Sequence, residues 1–182
     1  MKKQWELIED KIEITEIWDK IYSLFCFSPD YYNKSQPSFT FPQHIKYVKT
    51  YDISGMCQVL NPHDVDGNYR TTVQIDTLKT IFAECMDEDD FIYALDWHHS
   101  CFKYDPRVKE PYEYYMMYET LEDTRAYFPF FYPDGDYYLF VSKDFNWGYF
   151  THPWQKKAWV FGKRMVQLMR ENSQKLGFLE CD

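Results

Sequence analysis

The spacing of apolar residues changes near position 90, from helical before it to strand-like after it. In "TEIWDKIYSLF", Trp18, Ile21, Tyr22 and Phe25 recur at three- and four-residue intervals, and Thr15 stands where a capping hydroxyl would. This predicts a core-facing helix over 15–25. "SPDYYNKSQPSFTFPQ" follows, with three prolines among polar residues, and reads as a loop. "HIKYVKTYDIS" alternates weakly and reads as a strand closed by Gly55, with "NPHDVDGNY" as a turn. A second helix is expected over 73–86, where Ile75, Leu78, Ile81, Phe82 and Cys85 form an apolar face. The four acids of 87–90 would oppose the macrodipole at its C-terminus, so they are assigned to a solvated loop.

From Phe91 the period becomes two. "FIYALDW" and "SCFKYD" predict two strands linked at His98–His99, and "WGYFT" and "KAWVF" predict two more. "PYEYYMMYETLEDTRAY" fits neither period and is expected to be helical or irregular. "FPFFYPDGDYYLFVS" reads as a hairpin, because Asp134-Gly135 suits the positive φ angles of a tight type I′ turn. In "DYYLFVS", Tyr137, Leu139 and Val141 point one way and Tyr138 and Phe140 the other. A strand apolar on both sides is central and covered twice, or covered on one face and bound on the other. A final helix should start near Gly162, with Met165, Leu168 and Met169 inward. The expected fold is α+β, one domain over 1–182. An antiparallel, meandering sheet over about 91–161 would pack against N-terminal helices and a C-terminal helix.

Composition adds two constraints. Aromatic residues make up 21% of the chain, so some must sit half exposed at a core edge or a binding surface. The formal charge of −9 and pI near 5.0 argue against nucleic acid and membrane surfaces and favour a basic protein partner. The five cysteines are widely spread and lack CxxC spacing, which predicts free thiols in a reducing cytoplasm. The N-terminus does not read as a signal peptide, and no apolar run is long enough to span a bilayer. A cytoplasmic location is expected.

"YALDWHHSC", "YPDGDYYLFVSKDFNWGYFTHPW" and "WVFGKRMV" together resemble the bacterial family called domain of unknown function 2716. The resemblance covers these segments and the helix around Trp18, and does not extend to 28–73 or 105–124. It implies a small bacterial α+β domain and no particular reaction.

Several residues carry candidate chemistry. Asp96, His98, His99 and His152 are the metal-ligand candidates. Asp96 and His98 would share one face of an extended strand, and His152 would approach from later strands. His99 and Cys101, two apart, are a candidate nucleophile pair with no orienting third group. Asp134, Asp136 and Asp144 flank the expected hairpin as possible acid–base carboxylates, although turn and strand-end roles suit them better. "DVDGN" lacks the spacing of a calcium loop, and no glycine-rich phosphate loop or nucleophile elbow is present. Asp134, Trp147, His152 and Trp154 are the candidate binding residues, with His152-Pro153-Trp154 as a recognition tip. The chain therefore reads first as a non-enzymatic protein-binding module without a cofactor, such as an immunity-type inhibitor of a basic toxin. The alternative is a metal-dependent or small-molecule enzyme using Asp96, His98 and His152.

Overall fold

The computed structural model describes residues 4–30, 32, 37–57, 65–108, 117–119, 125–133 and 135–181, in which a run of strands between Ile92 and Phe161 is flanked on both sides by helices and further strands. In order they are β1 (Trp5–Leu7), α1 (Lys11–Phe25), β2 (Val48–Asp52), α2 (Ser54–Cys57), α3 (Val65–Cys85), β3 (Ile92–Asp96) and β4 (Cys101–Tyr104). Then come β5 (Met117–Glu119), β6 (Arg125–Tyr127), β7 (Tyr138–Ser142), β8 (Gly148–His152), β9 (Lys157–Phe161), α4 (Lys163–Leu176) and β10 (Leu179–Cys181). Eight strands form one antiparallel sheet in the order β1-β4-β3-β7-β8-β9-β2-β10, while β5 and β6 pair separately.

The centre of this α+β fold is the expected meander. β7, β8 and β9 follow one another through short turns, and β3 and β4 form a hairpin on the other side of β7. Both faces are covered. Tyr137, Leu139 and Val141 join Leu95, Phe150, Trp159 and Phe161 under Ile17, Ile21 and Phe25 of α1. Phe140 points to the opposite face, with Ala94, Phe102, Tyr149 and Val160, against Ile75, Leu78, Ile81 and Phe82 of α3 and Met165, Leu168 and Met169 of α4. Each large apolar side chain buried in this way contributes roughly 1.5–3 kcal/mol of transfer free energy, which makes the double-faced strand β7 the anchor of the fold.

The structure departs from the sequence reading in several places. The helix α1 starts at Lys11, not Thr15: the Asp10 carboxylate accepts the Ile12 amide at 2.8 Å, whereas the Thr15 hydroxyl donates to the Lys11 carbonyl inside the helix. The helix α3 begins at Val65, so part of the expected turn at "NPHDVDGNY" is helical; residues 61–64 lie outside the described residues. The described parts of 111–127 are the short strands β5 and β6 rather than helix.

The hairpin around Gly135 does not form. Both edges of β7 are already occupied, by β3 and β8, so the preceding segment has no strand to pair with. It crosses the face covered by α3 and α4 instead, and Phe131 stacks on Phe140 with ring centroids 4.8 Å apart. Gly135 does adopt a positive φ of 86°, while Asp134 lies outside the described residues. The sheet also extends beyond 91–161 at both edges, through β1 on one side and β2 and β10 on the other.

Candidate functional site

One end of the sheet gathers most of the chemistry-bearing residues. β3 and β7 run antiparallel with Asp96 opposite Tyr138, so the end of β3 and the start of β7 meet there. Asp96 closes β3, and Asp136 stands two residues before β7. The link from Trp97 to Ser100 carries His98 and His99 over the same edge, and the end of β8 brings His152 to it as well.

Within this cluster His99 Nδ1 lies 2.9 Å from Asp96 Oδ1 and 3.8 Å from Asp136 Oδ2, and His98 Nδ1 lies 2.8 Å from that same Asp136 oxygen. Both aspartates are nearly covered, at 4% and 6% exposure. Asp136 also accepts the Tyr137 amide on Oδ1 at 2.7 Å, which fixes its carboxylate at the strand entrance. Burial pushes the Asp96 carboxyl above its usual range, with the hydrogen bond to His99 opposing that shift. Asp96 in turn holds the His99 imidazole above its ordinary value. The sequence reading put Asp96 and His98 on one strand face. Because β3 ends at Asp96 and the chain turns, His99 meets Asp96 and His98 meets Asp136 instead.

His152 takes a different place. It is fully buried on the α1 side of the sheet; the Gln155 amide donates to its Nδ1 at 3.3 Å, and its Nε2 lies 3.4 Å from the Tyr137 hydroxyl. Its ring meets Tyr137, Trp154 and Trp159 edge-on or tilted at 5.0–6.0 Å. The set of donor atoms close enough to share a cation, among the described residues, is Asp96, His99 and Asp136, without His152.

The candidate binding residues are not drawn into one patch. Trp154 is half buried near His152 on the α1 side, while Trp147 is half buried on the other face of the sheet, 6.0 Å from Phe82. The expected Cys101–His99 pair is also separated in role. Cys101 is buried among the apolar residues under α1, where burial pushes its thiol up to about 11, and His99 Nδ1 faces carboxylates. Asp144 is exposed in the turn after β7.

Sequence reasoning weighed Asp136 only as a hairpin carboxylate. The signal that joins it to Asp96 is the antiparallel pairing of β3 with β7, which no local motif announces. Chemically, an imidazole against a carboxylate can move a proton, and two carboxylates with an imidazole can hold a cation. A cleft of about 440 Å³, lined by Phe25, His44, Lys46, Asn146, Phe161 and Lys163 among others, opens at the far end of the sheet and shares no residue with the cluster.

A family model described as protein of unknown function (DUF2716) matches residues 9–166. The chain belongs to that family. The match spans α1 through the first turn of α4, so it includes both partners of the Asp96–Asp136 cluster. A curated relative, "Uncharacterized protein YxiI" of Bacillus subtilis (strain 168), is 28% identical over 119 residues, covering 65% of this chain and 67% of its own. No solved structure matches. Among the described residues, no helix is long and apolar enough to cross a membrane.

Proposed function

We propose that the protein is a non-enzymatic binding module that receives a basic protein partner on the outer face of α1. The observation that supports this reading is a single exposed stripe: Ile12, Glu16, Asp19 and Tyr22 follow one another at helical spacing, and all four are exposed. Ile12 is 71% exposed and Tyr22 42%, so the stripe pairs apolar anchors with acidic neighbours. Glu6, Glu9 and Asp10 extend the acidic surface at one end, with Lys11, Lys20 and Lys103, which pairs with Glu13, among the nearby bases. At the other end Trp97 Nε1 donates to the Tyr22 hydroxyl at 2.9 Å, and Trp18 and Tyr22 both lean on Phe27.

A surface of this composition attracts a cationic partner at long range and offers aromatic contact once docked. An immunity-type inhibitor of a basic toxin would use such a face, and a cytoplasmic location fits that role. The test is affinity capture from the native host with the unmodified protein and a Glu16→Lys/Asp19→Lys variant, both confirmed folded by circular dichroism. Recovery of one basic protein that is lost with the variant and at raised salt supports the reading. Identical recovery on both baits, or no recovery on either, overturns it.

A further inference from the structure

We infer that Asp96, His99 and Asp136 bind a divalent transition-metal ion. Three features of the geometry carry this inference independently of the binding face on α1. The donor atoms of Asp96, His99 and Asp136 all lie within 4.8 Å of one another. The separations of His99 Nδ1 from Asp96 Oδ1 and Asp136 Oδ2, 2.9 and 3.8 Å, bracket the edge of about 3.3 Å expected in a tetrahedral shell with bonds near 2.0–2.1 Å. Gathering the three donors around an ion therefore requires local side-chain adjustment, not a new fold.

The scaffold is also of the right kind. Asp96 and Asp136 are held at the ends of adjacent paired strands, and both carboxylates are almost fully covered. Two carboxylates withdrawn from water at such short range are costly unless positive charge lies between them. Finally, His99 leaves the solvent side open. Its side chain is 58% exposed, so an ion held by its inward Nδ1 would keep positions for water or for a ligand from outside.

The donor set defines the class of ion. Carboxylate oxygen and imidazole nitrogen without thiolate suit zinc, manganese, cobalt or ferrous iron, whereas calcium prefers an all-oxygen shell of six to eight ligands. Cys101, the cysteine closest in sequence, packs into the apolar layer under α1 and supplies no ligand.

Cobalt(II) is the probe, because its visible spectrum reports both geometry and ligand type. Untagged, chelator-treated protein should take up one equivalent with d–d bands and no thiolate charge-transfer band. His99→Ala, at an exposed side chain, and Asp136→Asn should each weaken uptake by more than the roughly 10–100-fold that loss of an outer-sphere partner costs. His44→Ala, at an exposed histidine by the far cleft, should bind like the parent. Circular dichroism establishes that each variant is folded, and His99→Ala keeps the test valid should Asp136→Asn fail to fold. Absence of stoichiometric uptake by the native protein overturns the inference. So does a thiolate band, or unchanged affinity in His99→Ala.

Discussion

The Tyr137 hydroxyl stands 3.4 Å from His152 Nε2, deep on the α1 side of the sheet, and it also meets the Ser38 hydroxyl at 2.6 Å. This relationship makes His152 part of the packed interior, because the imidazole is held at one nitrogen by Gln155 and at the other by Tyr137. His152→Ala removes a fully buried ring and leaves those polar neighbours without it. The expected loss is about 2–4 kcal/mol, combining cavity and hydrogen-bond costs. Urea denaturation measures it. A loss below about 0.5 kcal/mol, the range of neutral surface changes, would show that His152 is not a core residue.

Two glycines with positive φ should respond differently to a methyl group. Gly162 has φ 94°, and a Cβ there would run into Trp147 and the Asn146 carbonyl. Gly135 has φ 86° but open space around it. Gly135→Ala therefore carries only backbone strain, about 1–2 kcal/mol, while Gly162→Ala adds a steric clash and should cost clearly more. Thermal melts of the two variants side by side check the order. If Gly135→Ala proves the more damaging, the contact between Gly162 and Trp147 is not what constrains that turn.

Local patterns in the sequence told a good deal about the layers and less about the connections. The two-sided apolar strand Tyr137–Val141 identified the centre of the sheet, since a strand without a polar face has no place at a solvated surface. The start of α1 was misplaced because both Asp10 and Thr15 are capable caps, and the choice depends on which amide lies within reach. Strands β1 and β10 span three residues each, too few to show a period of two. Gly135 takes the positive φ expected of it, but neighbouring strands occupy both edges of β7, so no hairpin follows. For the same reason the Asp96–Asp136 cluster was only half legible: its members were visible one by one, and their meeting depends on a pairing between segments some forty residues apart.

The cysteines should sort by burial when probed with an alkylating agent. The reactive species is the thiolate, and burial pushes the Cys101 thiol up to about 11 and the Cys85 thiol up to about 12. Cys26, at the end of α1, is exposed. At pH 8 in native buffer, iodoacetamide should modify Cys26 while leaving Cys101 and Cys85 intact. In denaturant all three should react. Mass spectrometry of the digested protein reads the pattern. Rapid native labelling of Cys101 would mean that the layer between α1 and the sheet opens readily.

The edge of the sheet offers a test with a defined pH direction. Glu180 on β10 is paired with Lys49 of β2 and with Arg170 of α4, 3.3 Å from its guanidinium Nε, and these cations hold its carboxyl below the usual range. A carboxyl depressed in the folded state binds its proton less readily there than in the unfolded chain. Its contribution is therefore fully present above the unfolded value, near 4.5, and fades as pH falls through the folded value. The pair is largely solvent-screened, so the effect is small and should shrink further in salt. Glu180→Gln should lower the melting temperature relative to the parent at pH 7 and low ionic strength, and the gap should close as the pH is taken toward 3. A gap that stays constant across that range would assign the stabilising role of position 180 to β-strand pairing with Tyr51 rather than to its charge.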